Sequence, residues 1–313
     1  MDANERRLME KRLERKFGSH KVLYSKYTPR IPYGAEREYL RLVNAYMGLL
    51  KEALESELQK LKVVYKNERD AAVAESRRND SETDLLLAIA AVFTAIENHL
   101  TARIEGFGLR RRLENLANLT RKLTVREWKK AVRATLAIDI REDYYLGNFY
   151  AEQLLKWVQD NVDLIKTIPN DSLDRMRDIV YDGFVRGKTT TQVMKDIRQV
   201  YGVSKRRARF IAGDQISKLS GQIQRAQQMD AGIEDYFWST VGDERVRDSH
   251  KELNGKRFSW REPPENSDGR CCHPGQDYGC RCIGRPIFKL ETLNLPYGDS
   301  HDVNDVTMTV SFR

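Results

Sequence analysis

The chain has 313 residues, a net charge of +8 and 32% charged residues. This length is sufficient for a sizeable hydrophobic core and for two domains, and a charged fraction above the typical value of about 25% favours long solvated helices over a buried parallel sheet. The best apolar run, residues 85–96, is shorter than the roughly 20 residues of a membrane-spanning helix, so it predicts a core helix and no membrane partner. The positive charge makes an anion, with nucleic acid first, a candidate partner.

All four cysteines lie between residues 271 and 282. The N-terminus is charged from Asp2 onward and lacks an apolar signal region, so we expect the protein to stay in a reducing cytoplasm. In that compartment, clustered cysteines are more often metal ligands than disulfides.

Residues 1–34 are predicted to form a basic N-terminal arm. Nine lysines and arginines occur in the first 30 residues, alternating with glutamates and a few apolar residues. Leu8, Leu13 and Phe17 give a weak helical stripe. The arm is predicted either to contact a polyanion or a partner, or to be a solvated helix without a role.

Residues 35–168 are predicted to form a long-helix domain. From Glu36 onward, apolar residues recur at every third or fourth position, which indicates a long amphipathic helix. Residues 66–83 either continue that helix or form a linker. Residues 84–103 are apolar nearly all round and predict a buried helix.

Further helices are predicted at residues 113–119, 128–138 and 149–165. Thr124 and Glu127 fit a capping box for the helix at 128–138. A turn with an N-cap is expected at residues 169–172.

Residues 169–232 are predicted to form a segment of three helices with short turns. Gly187, Gly202 and Gly232 mark the predicted helix ends, and Ser204 is expected to cap the third helix. This layout requires only ordinary helix packing.

Residues 233–313 are predicted to form a small α+β module. Residues 233–241 have the composition of a short strand, and the alternation of Val306, Met308, Val310 and Phe312 with small polar residues predicts a half-buried strand. The predicted fold class is therefore mainly α, with an elongated helical N-terminal and middle region and a small C-terminal α+β module stapled by zinc.

A structural zinc ion takes four nitrogen or sulfur ligands in a tetrahedron. Cys280 and Cys282 form the firmest pair, because Gly279 frees the backbone and the one-residue spacing allows both thiolates to face one ion. A distant histidine closes the loop, and the fourth ligand is one of two adjacent side chains, which diverge too much to share a metal. The predicted metal ligands are His250, Cys280 and Cys282, with Cys272 or His273 as the fourth.

Two alternatives to a metal remain at this stage. Residues 256–270 hold few side chains that pack, so a metal would compensate for a missing core. The cysteines are otherwise small reduced core residues, or Cys271 and Cys272 form a strained vicinal disulfide.

Carboxylates and arginines surround the histidine of this segment. Asp243 and Glu244, with Arg245 and Arg247, fit either a catalytic group or a salt-bridged turn that holds the His250 loop. The turn is favoured, because the sequence has no second carboxylate–histidine constellation and no nucleophile elbow.

The order of these motifs resembles the phage Mu F-like family of minor head, or head-morphogenesis, proteins of tailed bacteriophages. The resemblance covers roughly residues 170–290. It departs from the family pattern in an insertion at residues 275–279 and in the extra Cys271 and Cys272, which leaves the fourth metal ligand open. The residues that carry it are Asp243-Glu244-Arg245-Val246-Arg247, His250, Leu253-Asn254-Gly255-Lys256, Phe258, Pro274, Cys280-Arg281-Cys282 and Pro286.

The resemblance implies a non-enzymatic minor capsid protein of the virion, present in the host cytoplasm during assembly. Its implied partners are the portal or the major capsid protein, and its implied roles are head assembly, DNA packaging or ejection. One rival hypothesis is a metal-dependent nuclease of the His-Asn-His type, which would use Asp248, His250, Asn254 and His273. Another is a non-specific DNA-binding protein that contacts packaged DNA.

Overall fold

Long helices dominate the chain, as the apolar periodicity predicts. A computed structural model of the chain describes residues 3–19, 21–75 and 78–298. The fold class predicted from the sequence, mainly helical with a small sheet module near the C-terminal end, is confirmed. The helices are α1 (Ala3–Phe17), α2 (Tyr33–Glu75), α3 (Arg78–Phe107), α4 (Leu109–Leu136), α5 (Asn148–Val185), α6 (Thr190–Asp230) and the single turn α7 (Asp248–Lys251), with a 3-10 turn at Asp143–Leu146.

Four short strands form one antiparallel sheet in the order β1-β4-β2-β3. β4 pairs with both β1 and β2, so the strand from the N-terminal region lies at one edge. In the registers, Leu23 faces Phe288 and Tyr236 faces Pro286. The strands are β1 (Val22–Tyr24), β2 (Asp235–Ser239), β3 (Arg257–Ser259) and β4 (Ile283–Lys289).

The chain divides into two compact units that interleave along the sequence. The first unit draws its described residues from 1–38, 114–158 and 213–313, and it contains the sheet. The second unit draws on 39–113 and 159–212. The division of the sequence at residues 34, 168 and 232 remains a prediction of domain organisation, although α5 runs through residue 168 without a break.

Aromatic side chains form the core of the first unit. Trp128 of α4 stacks on Phe288 of β4 with ring centroids 6.0 Å apart. Trp128 also donates a hydrogen bond from Nε1 to the hydroxyl of buried Tyr145, at 2.7 Å. Burying rings of this size supplies much of the hydrophobic stabilisation of a domain. Other members of this core are Met9, Leu13, Val132, Tyr150, Ile233, Tyr236, Trp238 and Trp260.

The second unit has a separate helical core. Tyr65 of α2 contacts Phe184 of α5 edge to face, with centroids 6.2 Å apart. Its hydroxyl donates to the carbonyl oxygen of Lys188 at 2.9 Å, which satisfies the polar end of a buried ring. Further buried members are Tyr46, Leu50, Phe93, Ile96, Met176, Val180 and Ile197.

α1 and β1, in the predicted basic N-terminal arm at residues 1–34, are part of the first unit, and the contact of the arm with a polyanion or a partner stays a prediction. Met9 and Leu13 are buried in the core of that unit, and β1 pairs with β4. The apolar stripe of α1, weak as it is, is therefore sufficient to dock the helix on its own chain.

The capping box at Thr124 and Glu127 is also wrong, since α4 is one continuous helix. The Thr124 hydroxyl donates instead to the carbonyl oxygen of Thr120 at 2.8 Å, one turn earlier. The Glu127 carboxylate accepts the backbone N–H of Arg30 at 2.9 Å and the hydroxyl of Tyr27. Residues with the spacing of a capping box can therefore lie inside a helix and make other contacts, as Glu127 does with residues 27 and 30.

The three helices predicted in residues 169–232 are two, because neither Pro169 nor Gly202 ends a helix. Buried hydroxyls explain both continuations: Ser172 donates to the Ile168 carbonyl at 2.6 Å, and Ser204 donates to the Val200 carbonyl at 3.1 Å. The two hydroxyls lie 2.7 Å apart. Each hydroxyl thus has two partners, a carbonyl of its own helix and the other serine, which suits the burial of both in continuous helices.

Two further predictions meet the limits of the described residues. The strand at Val306, Met308, Val310 and Phe312 lies outside them. Residues 66–83 are predicted either to continue the helix or to form a linker. Of these, residues 66–75 are helical in α2 and residues 78–83 are helical in α3. None of the described helices is long and apolar enough to cross a membrane.

Gly232, between α6 and β2, is expected to tolerate no side chain. Its φ is +73°, and an added Cβ would lie 1.9 Å from the carbonyl oxygen of Thr292. Gly232→Ala is therefore expected to lower the free energy of unfolding by about 3 kcal/mol or more, combining the left-handed backbone cost with a backbone clash. Urea unfolding followed by circular dichroism measures the change.

Gly242→Ala is the matched control, because Gly242 has a φ of +74° and nothing within 4 Å of an added Cβ. It should cost only about 1 kcal/mol. Equal losses for the two variants would contradict the role of the Thr292 contact.

Candidate metal centre

Short elements of the first unit position the predicted ligands. β2 carries Trp238, whose ring lies edge-on to the imidazole of His250, with centroids 5.5 Å apart. His250 is presented by the single turn α7 and is 2% exposed. A turn this short has little intrinsic stability, so neighbouring contacts must hold the imidazole in place.

The Leu253-Asn254-Gly255-Lys256 motif closes the loop that carries His250. The Gly255 N–H donates to the Trp238 carbonyl at 2.8 Å, and the Trp238 N–H donates to the Lys256 carbonyl at 2.9 Å. The Asn254 side-chain oxygen accepts the N–H of Thr240 at 2.9 Å. The motif thus returns the chain to β2 and fixes both ends of the His250 loop.

A bidentate ion pair joins this loop to the Cys280-Arg281-Cys282 segment. Arg281 donates to the two carboxylate oxygens of Asp243 at 2.6 and 2.7 Å. Hydrogen bonding to Arg281 holds the pKa of Asp243 below its ordinary value. The geometry agrees with the salt-bridged turn favoured from the sequence, since Asp243 is engaged in positioning.

The structure brings His250, Cys280 and Cys282 together. One candidate ligand atom from each lies within 4.8 Å of the others, and all three residues are buried. His250 Nδ1 is 3.6 Å from Cys282 Sγ. The firm members of the predicted ligand set therefore converge on one point.

His250 also belongs to a second group, with Cys272 and Asp277. All three are buried, and their candidate ligand atoms again lie within 4.8 Å of one another. Asp277 Oδ2 is 3.3 Å from His250 Nε2, on the other side of the ring from Nδ1. The imidazole is thus the point that the two groups share.

His273 lies in neither group among the described residues. Its ring contacts Trp260, and its Nδ1 is 3.1 Å from the Tyr236 hydroxyl. Burial lowers the pKa of His273 to about 4, so the ring stays neutral near pH 7. Of the two adjacent candidates for fourth ligand, Cys272 lies in the group with His250 and Asp277, whereas His273 packs in the aromatic core.

The four cysteines are free, so the alternative of a vicinal disulfide between Cys271 and Cys272 is not what the structure has. Cys271 is exposed, whereas Cys272, Cys280 and Cys282 are buried. The expectation that residues 256–270 hold little that packs is wrong, since Trp260 is 1% exposed and its Nε1 donates to Gln228.

The electrostatics of the cluster favour a charged Cys280 beside a charged His250, whereas hydrogen bonding to Cys280 and burial raise the pKa of Cys282. Hydrogen bonding to Cys282, then to His250, lowers the pKa of Cys280 well below its ordinary value. The backbone N–H groups of Gly275 and Cys282 also donate to Cys280 Sγ, each at 3.4 Å. Hydrogen bonds to Cys272 and Cys280 raise the pKa of His250 to about 10. The buried cluster thus contains protons that a divalent cation can replace.

The insertion at residues 275–279 supplies a part of the site that the sequence did not reveal. Although burial alone raises it, the pKa of Asp277 stays below its ordinary value because the Tyr278 N–H, Arg270 and Arg247 donate to the carboxylate. Arg270 Nη1 lies 2.9 Å from Asp277 Oδ1. An acidic residue inside a Cys/His cluster was the available signal, and it was missed because carboxylates are common in loops.

The C-terminal part of α6 supports the same insertion. A Cβ on Gly221 would lie 2.9 Å from the Pro274 carbonyl oxygen, so the helix and the loop touch through backbone. Asp214 accepts the Gly279 N–H at 2.7 Å and pairs with Lys218 at 2.7 Å. The loop before Cys280 is therefore held at both ends.

Residues 174–284 match the family described as phage Mu protein F like protein. This region is similar to that family and is called the Mu F-like region below. The match confirms the family resemblance read from the motifs, and it includes α6, the sheet strands β2 and β3, and the whole Cys/His cluster.

An uncharacterized protein of Haemophilus influenzae is 39% identical to this chain over 128 residues. The aligned part covers 41% of this chain and 28% of that protein, so the chain spans less than a third of this relative. No solved structure matches the chain.

Asp277→Asn is expected to destabilise the first unit. The Asp277 side chain is 4% exposed, and the substitution removes the charge that Arg247, Arg270 and His250 share. A loss of about 2–3 kcal/mol is expected, below the usual 3–5 for a fully buried pair because the arginines are partly solvated. Urea unfolding of the full chain measures it.

Asp248→Asn makes the same chemical change at a side chain that is 89% exposed. Its stability should stay close to that of the unchanged chain. If Asp277→Asn were as stable as this control, the insertion would have no part in holding the cluster.

Proposed function

We propose that this chain is a structural minor head protein of a tailed bacteriophage, acting in head assembly and in DNA packaging or ejection near the portal. The observation that carries the proposal is the Mu F-like match over residues 174–284, since the family is one of structural head-morphogenesis proteins. Partners are then the portal or the major capsid protein, and the location is the virion.

The residues that a His-Asn-His nuclease would use do not support the enzymatic alternative. Asp248 is exposed and pairs with Lys251, while His273 is buried against Tyr236. Asn254 is occupied by Thr240. These side chains have separate structural contacts, and the head protein is therefore the better-supported function.

We further propose that His250, Cys272, Cys280 and Cys282 hold a structural zinc ion. The donor set of three thiols and one imidazole is of the kind that structural zinc takes. Across a tetrahedral ion with ordinary Zn–S and Zn–N bonds, sulfur and nitrogen lie about 3.6 Å apart. This agrees with the 3.6 Å between Cys282 Sγ and His250 Nδ1.

Asp277 then has a role outside the ligand set. Metal-binding histidines commonly give their second nitrogen to a carboxylate, which fixes the ring and its tautomer. His250 Nε2 lies 3.3 Å from Asp277 Oδ2 without a hydrogen bond between them, so the carboxylate is placed for that arrangement once an ion fixes the ring. Zinc would join α7 to the loop at residues 271–282, which leads into β4.

Adjacent cysteines provide the test of the ligand assignment. Full-length protein purified with zinc under reducing conditions should contain about one zinc ion per chain by elemental mass spectrometry. Cys272→Ser should lose most of it, because a serine hydroxyl is a poor substitute for a thiolate.

Cys271→Ser is the matched control, since Cys271 is exposed and lies in neither donor group. It should keep the full zinc content. Zinc-free unchanged protein, or equal zinc in both variants, would overturn the assignment.

Particle composition tests the head function. A prophage that carries this gene is induced, and gradient-purified heads are analysed by quantitative mass spectrometry. The chain should be present at a fixed low copy number, and deletion of the gene should greatly reduce the yield of DNA-filled heads. Heads of normal yield and DNA content that lack the chain would contradict the proposal.

A nuclease assay on the purified full-length protein tests the enzymatic alternative. Purified protein incubated with duplex DNA and magnesium should leave the DNA intact. Cleavage that His250→Ala abolishes would make the chain a nuclease, whatever its presence in heads.

A further inference from the structure

An unpaired stripe of positive charge runs along the N-terminal half of α6. Its five members are exposed, and no carboxylate of the described residues lies within ion-pair distance of any of them. The stripe is therefore a strongly basic surface of the second unit. The members of the stripe are Lys195, Arg198, Lys205, Arg206 and Arg209.

Helical geometry places these side chains on one face. At 100° per residue they fall within an arc of about 100°, and at 1.5 Å per residue they extend over about 21 Å. The face opposite is buried, through Val193, Ile197, Ala208 and Ile211. The stripe therefore points away from the core of its own unit.

The sequence around the stripe contains no acid that would neutralise it. None of the five cations has an aspartate or glutamate three or four positions away, the spacing at which helical ion pairs form. Asp196 is the acid within residues 190–213, and it pairs with Lys188 at 2.9 Å. Nearby Arg207, in contrast, is paired with Asp171 at 2.7 Å.

We infer that this stripe is a contact surface for the phosphate backbone of duplex DNA. Duplex DNA presents a regular line of negative charge over the roughly six base pairs that 21 Å spans. When the five cations neutralise phosphates, the counterions condensed on the DNA are released, which favours binding and makes it depend on salt. Gly202 lies inside the arc without a side chain, which leaves the helix surface low enough for close approach.

An acidic protein fits this surface less well than DNA. Protein interfaces depend on a few buried aromatic anchors near their centre. Here the exposed apolar side chains, Val203 and Phe210, lie at one edge of the arc, and the middle holds only Gly202 and the cations. A surface that is charged along its centre therefore suits DNA, which it would bind through the charged phosphate backbone.

This inference extends the proposed function by giving the head protein a DNA contact. Fluorescence anisotropy of full-length protein with a labelled 30-base-pair duplex of arbitrary sequence tests it between 50 and 300 mM NaCl. The unchanged chain should bind with an affinity that falls steeply with salt, with a slope of about −0.9 for each phosphate contacted. Binding in vitro depends on the surface alone, whereas copy number in heads reports on the head function, so the two proposals can fail separately.

The triple variant Lys205→Gln, Arg206→Gln, Arg209→Gln should make the slope shallower by about 2.7 and weaken binding at 50 mM NaCl by about tenfold or more. Its control is Lys156→Gln, Lys166→Gln, Arg175→Gln on α5, which removes the same charge from exposed sites. Each of those cations has an aspartate three or four positions away. The control should bind like the unchanged chain.

Three results would overturn the inference. One is salt-insensitive or absent DNA binding, and another is an equal loss of binding in both triple variants. The third is stronger binding of polyglutamate than of duplex DNA at equal charge, which would make the partner an acidic protein. Circular dichroism of both variants checks that they remain folded.

Discussion

The organisation of the first unit depends on burying several ionisable groups around one imidazole. His250 is 2% exposed, and the candidate ligand atoms of three cysteines and one carboxylate lie in the two groups that it shares. Taking such groups out of water is costly unless each finds a partner or binds a metal. The surrounding structure is arranged to meet this demand: Arg247 and Arg270 pair with Asp277, backbone N–H groups point at Cys280, and Arg281 pairs with Asp243.

This constraint also accounts for the strong local signature of the Mu F-like region. The Asp243 and Arg281 pair, the Leu253–Lys256 turn and the Cys280–Cys282 pair are separated in sequence, yet each fixes one side of the same cluster. Removing the Asp243 carboxylate, for example, would leave the largely buried Arg281 without its partner. Function in a phage head, as proposed, requires that this small module keep its shape.

The sequence predicted the elements that depend on periodicity and on donor chemistry. Long apolar stripes gave the helices, and the Cys-x-Cys spacing with a distant histidine gave the three donors that do converge. Helix ends were predicted less well. Pro169 and Gly202 are ordinary signals for a helix end, yet the helices continue through them, with Ser172 and Ser204 buried. Such tertiary contacts have no local pattern in a single sequence.

The choice between Cys272 and His273 likewise needed the fold. The spacing between ligands does not distinguish two adjacent residues. Only the packing of His273 against Trp260 and Tyr236 separates them. Asp277 was missed for a related reason, since a loop aspartate acquires meaning only when two arginines and an imidazole surround it. The α6 stripe shows the opposite case, in which the sequence contains the whole pattern and the structure adds that the face is exposed.

X-ray absorption at the zinc edge of the full-length purified protein tests the central claim most directly. The account predicts about one zinc per chain with three sulfur neighbours at about 2.3 Å and one nitrogen neighbour at about 2.0–2.1 Å. Protein without zinc, or zinc surrounded by oxygen atoms, would contradict it.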